Sequence, residues 1–381
     1  MLEEADARQQ ILDLTPERAA VALSLQDALN HYAARDVLAT VPLPGFDNSQ
    51  MDGYALRATD AVKDAELTVT GEQPAGPDLG LSVQPGAAVR IFTGAPMPQG
   101  ADAVVMQEDT ESLAGNRVRI LEAAEPGEFV RRRGADLCEG QRIISSGDLL
   151  SPMKLGVLAS QGLSNVMAHP GVRASVVSTG DELLSPGEPL GAGQLYNSNG
   201  PMLGTLLQDW GGHLQHSLHA TDDPQQLRGV LEQALSNTDL CIVAGGVSVG
   251  DHDHVKQTLE DLGVEGGFWR VRIKPGKPLF FGRRDSTLVF GLPGNPVSAY
   301  ITFLLFVAPA LRKLQGAKVS AAAPPLPNCI AILQSDLHND GSRPHYIRGT
   351  FEPATNGFSP LGLQQSHALY SLSRANSLIR V

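Results

Sequence analysis

Residues 239–262, DLCIVAGGVSVGDHDHVKQTLEDL, decide the fold. An apolar run over 239–243 ends in the glycine loop AGGVSVG, and a helix is expected over 254–262. Strand, glycine loop and helix in succession form the repeating unit of a parallel sheet. The alternation continues on both sides. Residues 172–178 (VRASVVS) read as a buried strand running into the turn Thr179-Gly180-Asp181-Glu182. Helices are expected over 200–210 and 224–236, the second with proline in its first turn. Residues 213–219 alternate like a strand, and 287–290 form another, followed by GLPGNP and a long apolar helix over 297–314. The expectation for about 170–316 is a mainly parallel sheet covered by helices on both faces.

Outside this region the texture differs. Residues 24–37 place Leu25, Ala28, Leu29 and Tyr32 on one helical face. From 43 to about 150 the chain is rich in Gly, Pro and short alternating runs such as 88–92 and 117–121, which predicts a small β-rich region. Residues 321–327 (AAAPPLP) form a linker-like break, and 328–381 again reads as short strands and turns.

Composition narrows the class of function. The 381 residues suffice for about two to four compact domains, and 42% are apolar, which excludes wholesale disorder. A net charge of −12 argues against a nucleic-acid partner. Any anionic substrate must therefore be met by locally concentrated positive charge. Cys138, Cys241 and Cys329 lie far apart without a CxxC pair, so neither a zinc site nor a disulfide framework is expected. The start, MLEEADARQQIL, is acidic and lacks the basic and apolar regions of a signal peptide. The longest apolar stretch, 301–311, is expected to be too short to cross a bilayer. These features predict a cytoplasmic protein with no membrane partner.

Ligands of an open α/β sheet bind beyond the carboxyl ends of its strands. Three unusual loops fall there. The first, Ser178–Glu182, puts two adjacent carboxylates at a strand end, where they can cap a helix or serve a metal or acid–base chemistry. The second, with Gly245, Gly246, Ser248 and Gly250, lets backbone N–H groups approach a phosphate, and Mg²⁺ can bridge neighbouring carboxylates to that anion. It is not a Walker A loop, because Asp251 stands where lysine is needed. The run Asp251-His252-Asp253-His254 suits capping side chains better than a transition-metal site. The third, with Pro293 and Asn295, is a rigid turn with exposed backbone. Between them Arg270, Arg272 and Lys274 are expected on one face of an extended strand, with Lys277 following; like charges on one face call for an anion. In the β-rich region, residues 44–55 pack turn formers around two carboxylates, and 131–136 join three arginines to Asp136.

In this order the segments PGFDNSQMDGYAL, RIFTGAPMPQGADAVVMQE, RRRGADL, STGDELLSPGEPLGAGQLYNSN, GGVSVGDHDHVKQTLEDLG, IKPGKPLFFG and FGLPGNPVSA, from 44 to 299, resemble the MoeA family of molybdopterin molybdenumtransferases, bacterial relatives of the gephyrin E domain. PHYIRG and LQQSHALYSLSRAN carry a weaker trace. The resemblance implies an elongated, L-shaped subunit of four parts. These are an N-terminal extended and helical domain (1–43 with 137–169), a small β domain (44–136), an α/β molybdopterin-binding domain (170–318) and a C-terminal β domain (319–381). Related chains run on past the equivalent of Val381, so either the sequence is trimmed there or the final domain is shortened, and in either case an unpaired edge is expected.

The resemblance further implies a homodimer in which the α/β domain of one chain faces the small β domain of the other. Other enzymes of molybdenum cofactor synthesis are possible partners. The implied ligands are Mg²⁺, molybdate and adenylylated molybdopterin. Functional carboxylates then fall on Asp52, Asp136, Glu182, Asp222 and Asp253, and a functional threonine on Thr93. Basic positions fall on Arg270, Lys274 and Arg348, and a serine on Ser366. Arg270 replaces the family's usual lysine, exchanging a point charge for a planar fork. The implied activity is molybdate insertion with release of AMP. Glu182, Asp222 and Asp253 would hold Mg²⁺, and Lys274, Lys277 and Arg270 would bind anions. The alternative is a non-catalytic molybdopterin-binding scaffold of gephyrin-like type; that Asp52, Asp136, Glu182, Asp222 and Asp253 are all acidic favours the enzyme.

Overall fold

The computed structural model describes residues 1–246, 254–323, 326–339 and 341–381. The chain forms two compact units. One comprises Met1–Arg35, Ser146–Pro152 and Asn165–Val381; the other comprises Asp36–Ser145 and Met153–Ser164.

The larger unit is built on a six-stranded sheet. In spatial order its strands are Gly212–Ala220, Val172–Thr179, Leu240–Ala244, Thr287–Leu292, Pro278–Arg284 and Glu265–Arg270. The first four are parallel and the last two antiparallel. The parallel core follows from near-continuous apolar runs that bury both faces. Neighbouring residues point to opposite layers. Val176, Ile242 and Phe290 pack with the helices Asn199–Asp209 and Glu4–Leu14 and the long helix beyond Pro296. Val177, Val243 and Val289 pack with Pro224–Leu235 and His254–Asp261. The helix Pro224–Leu235 starts sharply because Asp223 accepts from the N–H groups of Gln225 and Gln226, with Pro224 in the first turn.

The long apolar helix forms where expected, starting one residue earlier, and extends well beyond the apolar stretch 301–311 inside it. It runs from Pro296 to Leu314, 19 residues, enough by length and composition to cross a bilayer. Yet 83% of it is buried inside the protein, as befits a core helix. Its middle turn, Phe303–Val307, widens to a π-helix just before Pro309. In a regular turn that proline ring would clash with the Leu305 carbonyl.

Residues 24–37 do not form the expected helix. The Ala28 N–H bonds to Ser24 O, but Asn30 takes φ +62° and ends the turn. Tyr32 and Ala33 then bridge Leu149 and Ala168. One turn of amphipathic spacing yields here to tertiary pairing.

At the base of the sheet, Asp239 accepts from Arg173 N (2.8 Å), Nε (3.2 Å) and Nη2 (3.0 Å), and pairs with Arg18 (3.2 Å). Burial acts to raise this carboxyl; the Arg173 hydrogen bonds and the Arg18 charge outweigh it and hold it below the usual range. Asp239→Asn is expected to destabilise the fold by about 1.5–3 kcal/mol at neutral pH. Because the folded value is depressed, the contribution is complete above the unfolded pKa of about 3.9 and disappears as pH falls through the folded value. Urea unfolding of both proteins at pH 7 and pH 3 checks this; an equal gap at the two values would show that the charge contributes nothing.

A four-stranded sheet closes the chain, in the order Ile332–Leu333, Gly357–Pro360, Tyr346–Glu352 and Ser377–Arg380. It is tied to the α/β part by Lys274 N–H to Pro344 O and Tyr346 N–H to Lys274 O. Tyr346 Oη also donates to Glu4 Oε2 at 2.8 Å. Burial, with Glu4 alongside, raises the phenol and keeps it a donor.

The smaller unit holds a second six-stranded sheet, ordered Ala103–Met106, Gly53–Leu56, Ala87–Ile91, Glu66–Gln73, Arg117–Ile120 and Thr110–Leu113.

Candidate active site

The expected site residues fall into two groups, one per unit. In the smaller unit, Asp52 sits directly before Gly53–Leu56, the strand next to the edge of the small sheet. Only glycine fits at 53, since a Cβ there would lie 1.9 Å from Val105 O. Asp52 is thereby held at the rim. Its Oδ1 accepts from both Thr93 N and Thr93 Oγ1, each at 2.8 Å. The backbone N–H of Thr93 and then its hydroxyl hold this exposed carboxyl below the usual range, against the opposing effect of desolvation, and the charge of Arg90 adds the least. Asp52 is therefore an ionised acceptor at neutral pH.

Two residues that sequence reasoning did not single out build this group. The Arg90 guanidinium lies 5.1 Å from the Tyr54 ring and 5.2 Å from Phe92, and donates to Gly53 O. Asp47 accepts from Arg133 N and from Arg132 Nη1, both at 2.7 Å. The Arg133 N–H foremost, aided by Arg132, holds Asp47 below the usual range although burial opposes them. This clamp fixes the loop that carries the exposed Asp136, whose N–H meets Leu43 O.

In the larger unit, three parallel strands end at Thr179, Ala244 and Leu292. Glu182 and Asp222 are exposed on the loops after the first strand and after Gly212–Ala220. Gly245 has φ +99°, and a Cβ on it would stand 2.7 Å from Thr179 O; one on Gly246 would stand 2.4 Å from Val255 Cγ2. Beside them Pro293 is buried and Asn295 exposed, and Gly294 O accepts from Asn199 Nδ2 at 2.7 Å. Ser366 O accepts from Val297 N–H at 3.1 Å, joining the loop that follows the strand Gly357–Pro360 to this edge. Three buried side-chain oxygens here, Ser178 Oγ, Thr179 Oγ1 and Asn199 Oδ1, have no hydrogen-bond partner among the described residues. Buried polar groups left so are unusual and suit a ligand. Ser248, Gly250 and Asp253 lie outside the described residues, as does His252.

The basic stretch differs from expectation. The strand stops at Arg270, and 271–277 leave the sheet, so Arg272 does not join its neighbours on one face. It pairs with Glu3 at 2.9 Å and reaches Ser342 O. Arg270, Lys274 and Lys277 have no carboxylate partner among the described residues. Arg348 is 1% exposed. It donates to Leu363 O (2.6 Å) and Gln365 O (3.3 Å), its Nε has no partner among the described residues, and burial lowers its pKa. Among the described residues no three His, Cys, Asp or Glu side chains gather as a metal cluster.

Known proteins share this layout. Residues 2–162 match the model of the MoeA N-terminal region (domain I and II), 175–313 a probable molybdopterin binding domain, and 331–381 the MoeA C-terminal region (domain IV). The molybdopterin molybdenumtransferase of Haemophilus influenzae is 36% identical over the whole chain and 94% of that relative. The chain belongs to the MoeA family. Molybdopterin molybdenumtransferase 2 of Mycobacterium tuberculosis is 37% identical over 91% of this chain and 87% of its own length. A crystal structure of a molybdopterin biosynthesis MoeA protein from Pyrococcus horikoshii superposes with a TM-score of 0.85 at 27% identity, covering 100% of this chain and 94% of that one. Asp52, Asp136, Thr93, Glu182 and Asp222 of this MoeA chain are all displayed at loop ends rather than buried in either core.

Proposed function

We propose that the protein inserts molybdate into adenylylated molybdopterin and releases AMP, yielding molybdenum cofactor. The observation that carries this reading is the trio Arg270, Lys274 and Lys277, cations without a carboxylate partner among the described residues in a chain of net charge −12. They suit a substrate that is itself polyanionic. The glycine loop from Gly245 and the turn at Pro293 and Asn295 flank the strand ends where the pterin nucleotide binds. Ser366 and Arg348 order the neighbouring loop.

Glu182 and Asp222 offer carboxylate oxygens, the hard donors Mg²⁺ takes, with Asp253 as third candidate; substrate phosphates complete such a shell. Bound there, the ion supplies charge compensation at the phosphoanhydride. Asp52, kept ionised by Thr93, takes the protons released as the dithiolene sulfurs bind molybdate and passes them to the oxo ligands that leave as water, and Asp136 assists. Loss of AMP accompanies closure of the dithiolene on molybdenum. We further propose a cytoplasmic homodimer with the four-part division given above, in which the α/β domain of one chain serves the small β domain of the other, and which other enzymes of the pathway can contact. Its free cysteines, Cys138, Cys241 and Cys329, suit a reducing compartment.

The test is AMP release by purified protein with adenylylated molybdopterin and Mg²⁺ while molybdate is titrated. Molybdate-dependent release is expected. Tight substrate binding without AMP would replace the enzyme with the gephyrin-like scaffold.

A further inference from the structure

Two carboxylates of the proposed site, Glu182 and Asp222, come from loops about 40 residues apart in sequence, and one side chain between them has no role so far. Asp181 points its Oδ1 at the backbone N–H of Asp222, at 2.9 Å. Two further bonds join the same loops. The Gly180 N–H meets Ala220 O at 3.2 Å, and His219 Nε2 lies 2.9 Å from Gly180 O. A carbonyl only accepts, so that ring nitrogen carries the proton. On its other flank Glu182 is fixed by its own carbonyl, which accepts from Leu195 N–H at 2.8 Å. The first two strands of the sheet thus end in a latch, and Asp181 supplies its outermost bond.

We propose that Asp181 is a positioning residue that fixes Asp222 relative to Glu182. It acts through its oxygen as a hydrogen-bond acceptor rather than through its charge or as a metal ligand. The geometry separates these roles. Asp181 spends Oδ1 on the Asp222 backbone, leaving the Glu182 and Asp222 carboxylates exposed toward ligand. Exposed loops such as these have no packed core to hold them, and a displacement of about 1 Å in a reacting group can cost up to two orders of magnitude in rate. A single well-placed acceptor therefore has a large effect at a small structural cost. The inference rests on the proposed transferase reaction for its catalytic consequence, but the latch itself is a property of the fold.

Asparagine keeps an acceptor oxygen at the same place and removes the charge; alanine removes both. Asp181→Ala is expected to lower kcat on the order of tenfold with little change in thermal unfolding, and to speed exchange of the Asp222 amide. Asp181→Asn is expected to keep at least half of the wild-type kcat and the wild-type exchange rate. Hydrogen exchange, read by mass spectrometry on peptides covering 219–224, does not depend on activity. Loss of tenfold or more in Asp181→Asn overturns the proposal in favour of a charged or metal-ligating Asp181, whatever the alanine variant does. Unchanged exchange in Asp181→Ala also overturns it. If wild-type protein shows the latch but no molybdate-dependent AMP release, the transferase reading fails while the latch stands.

Discussion

Asp52→Asn is expected to reduce molybdate-dependent AMP release by roughly 10²–10³-fold while leaving the unfolding transition where it is. The side chains are nearly isosteric, and the amide oxygen can still accept from Thr93 N and Oγ1, so the loop keeps its shape. What disappears is a full negative charge at the rim of the small sheet. The carboxyl is held below the usual range by two donors from one residue, so the wild-type group is ionised across the whole neutral range. A carboxyl held below the usual range stays charged at every pH above that range, so its charge state does not change between pH 6 and pH 8. The rate difference between the two proteins should hence be flat from pH 6 to pH 8. Kinetics at saturating molybdate provide the check. Wild-type turnover in the variant removes Asp52 from the chemistry, and a difference that grows between pH 6 and 8 assigns the titration to another group.

Asp52 also shows where sequence reading stops. Thr93 lies 41 residues away, and no local pattern couples them; resemblance named both, but only the fold shows that one holds the other. Arg90 was not named at all, and Asp47 and Asp181 appeared only as members of acidic loops, because their work is done on backbone N–H and carbonyl groups and aromatic faces that the one-letter string does not reveal. The parallel strands were legible because burial on both faces demands long apolar runs such as 172–179 and 240–244. The antiparallel pair Glu265–Arg270 and Pro278–Arg284 was not, since EGGFWR has two glycines in place of packing side chains and PLFFGRR opens with proline. The basic run at 270–274 misled through its alternation: charge every second residue reads as one face of a strand only while the strand continues, and this one ends at Arg270.

Gly245→Ala is expected to cost about 2–4 kcal/mol of stability in addition to activity, and it separates two explanations of the glycine loop. From sequence, Gly245 and Gly246 are small so that a phosphate can come close to the backbone. The structure supplies a second reason. At φ +99° an alanine is strained, and its Cβ would stand 2.7 Å from Thr179 O and 2.8 Å from Thr179 Oγ1. A backbone carbonyl inside a parallel sheet cannot move aside cheaply, because Thr179 is paired with Ala220 on the neighbouring strand. The variant must therefore loosen the strand ends themselves, where Ser178, Thr179 and Asn199 present oxygens that have no partner among the described residues. Gly229→Ala is the control, since a Cβ at 229 meets open space within the helix Pro224–Leu235. It should gain about 0.5–1 kcal/mol from helix propensity. Urea unfolding of both variants without substrate isolates the packing effect. A Gly245→Ala protein as stable as wild type, but inactive, would mean that the glycine is kept for the ligand alone.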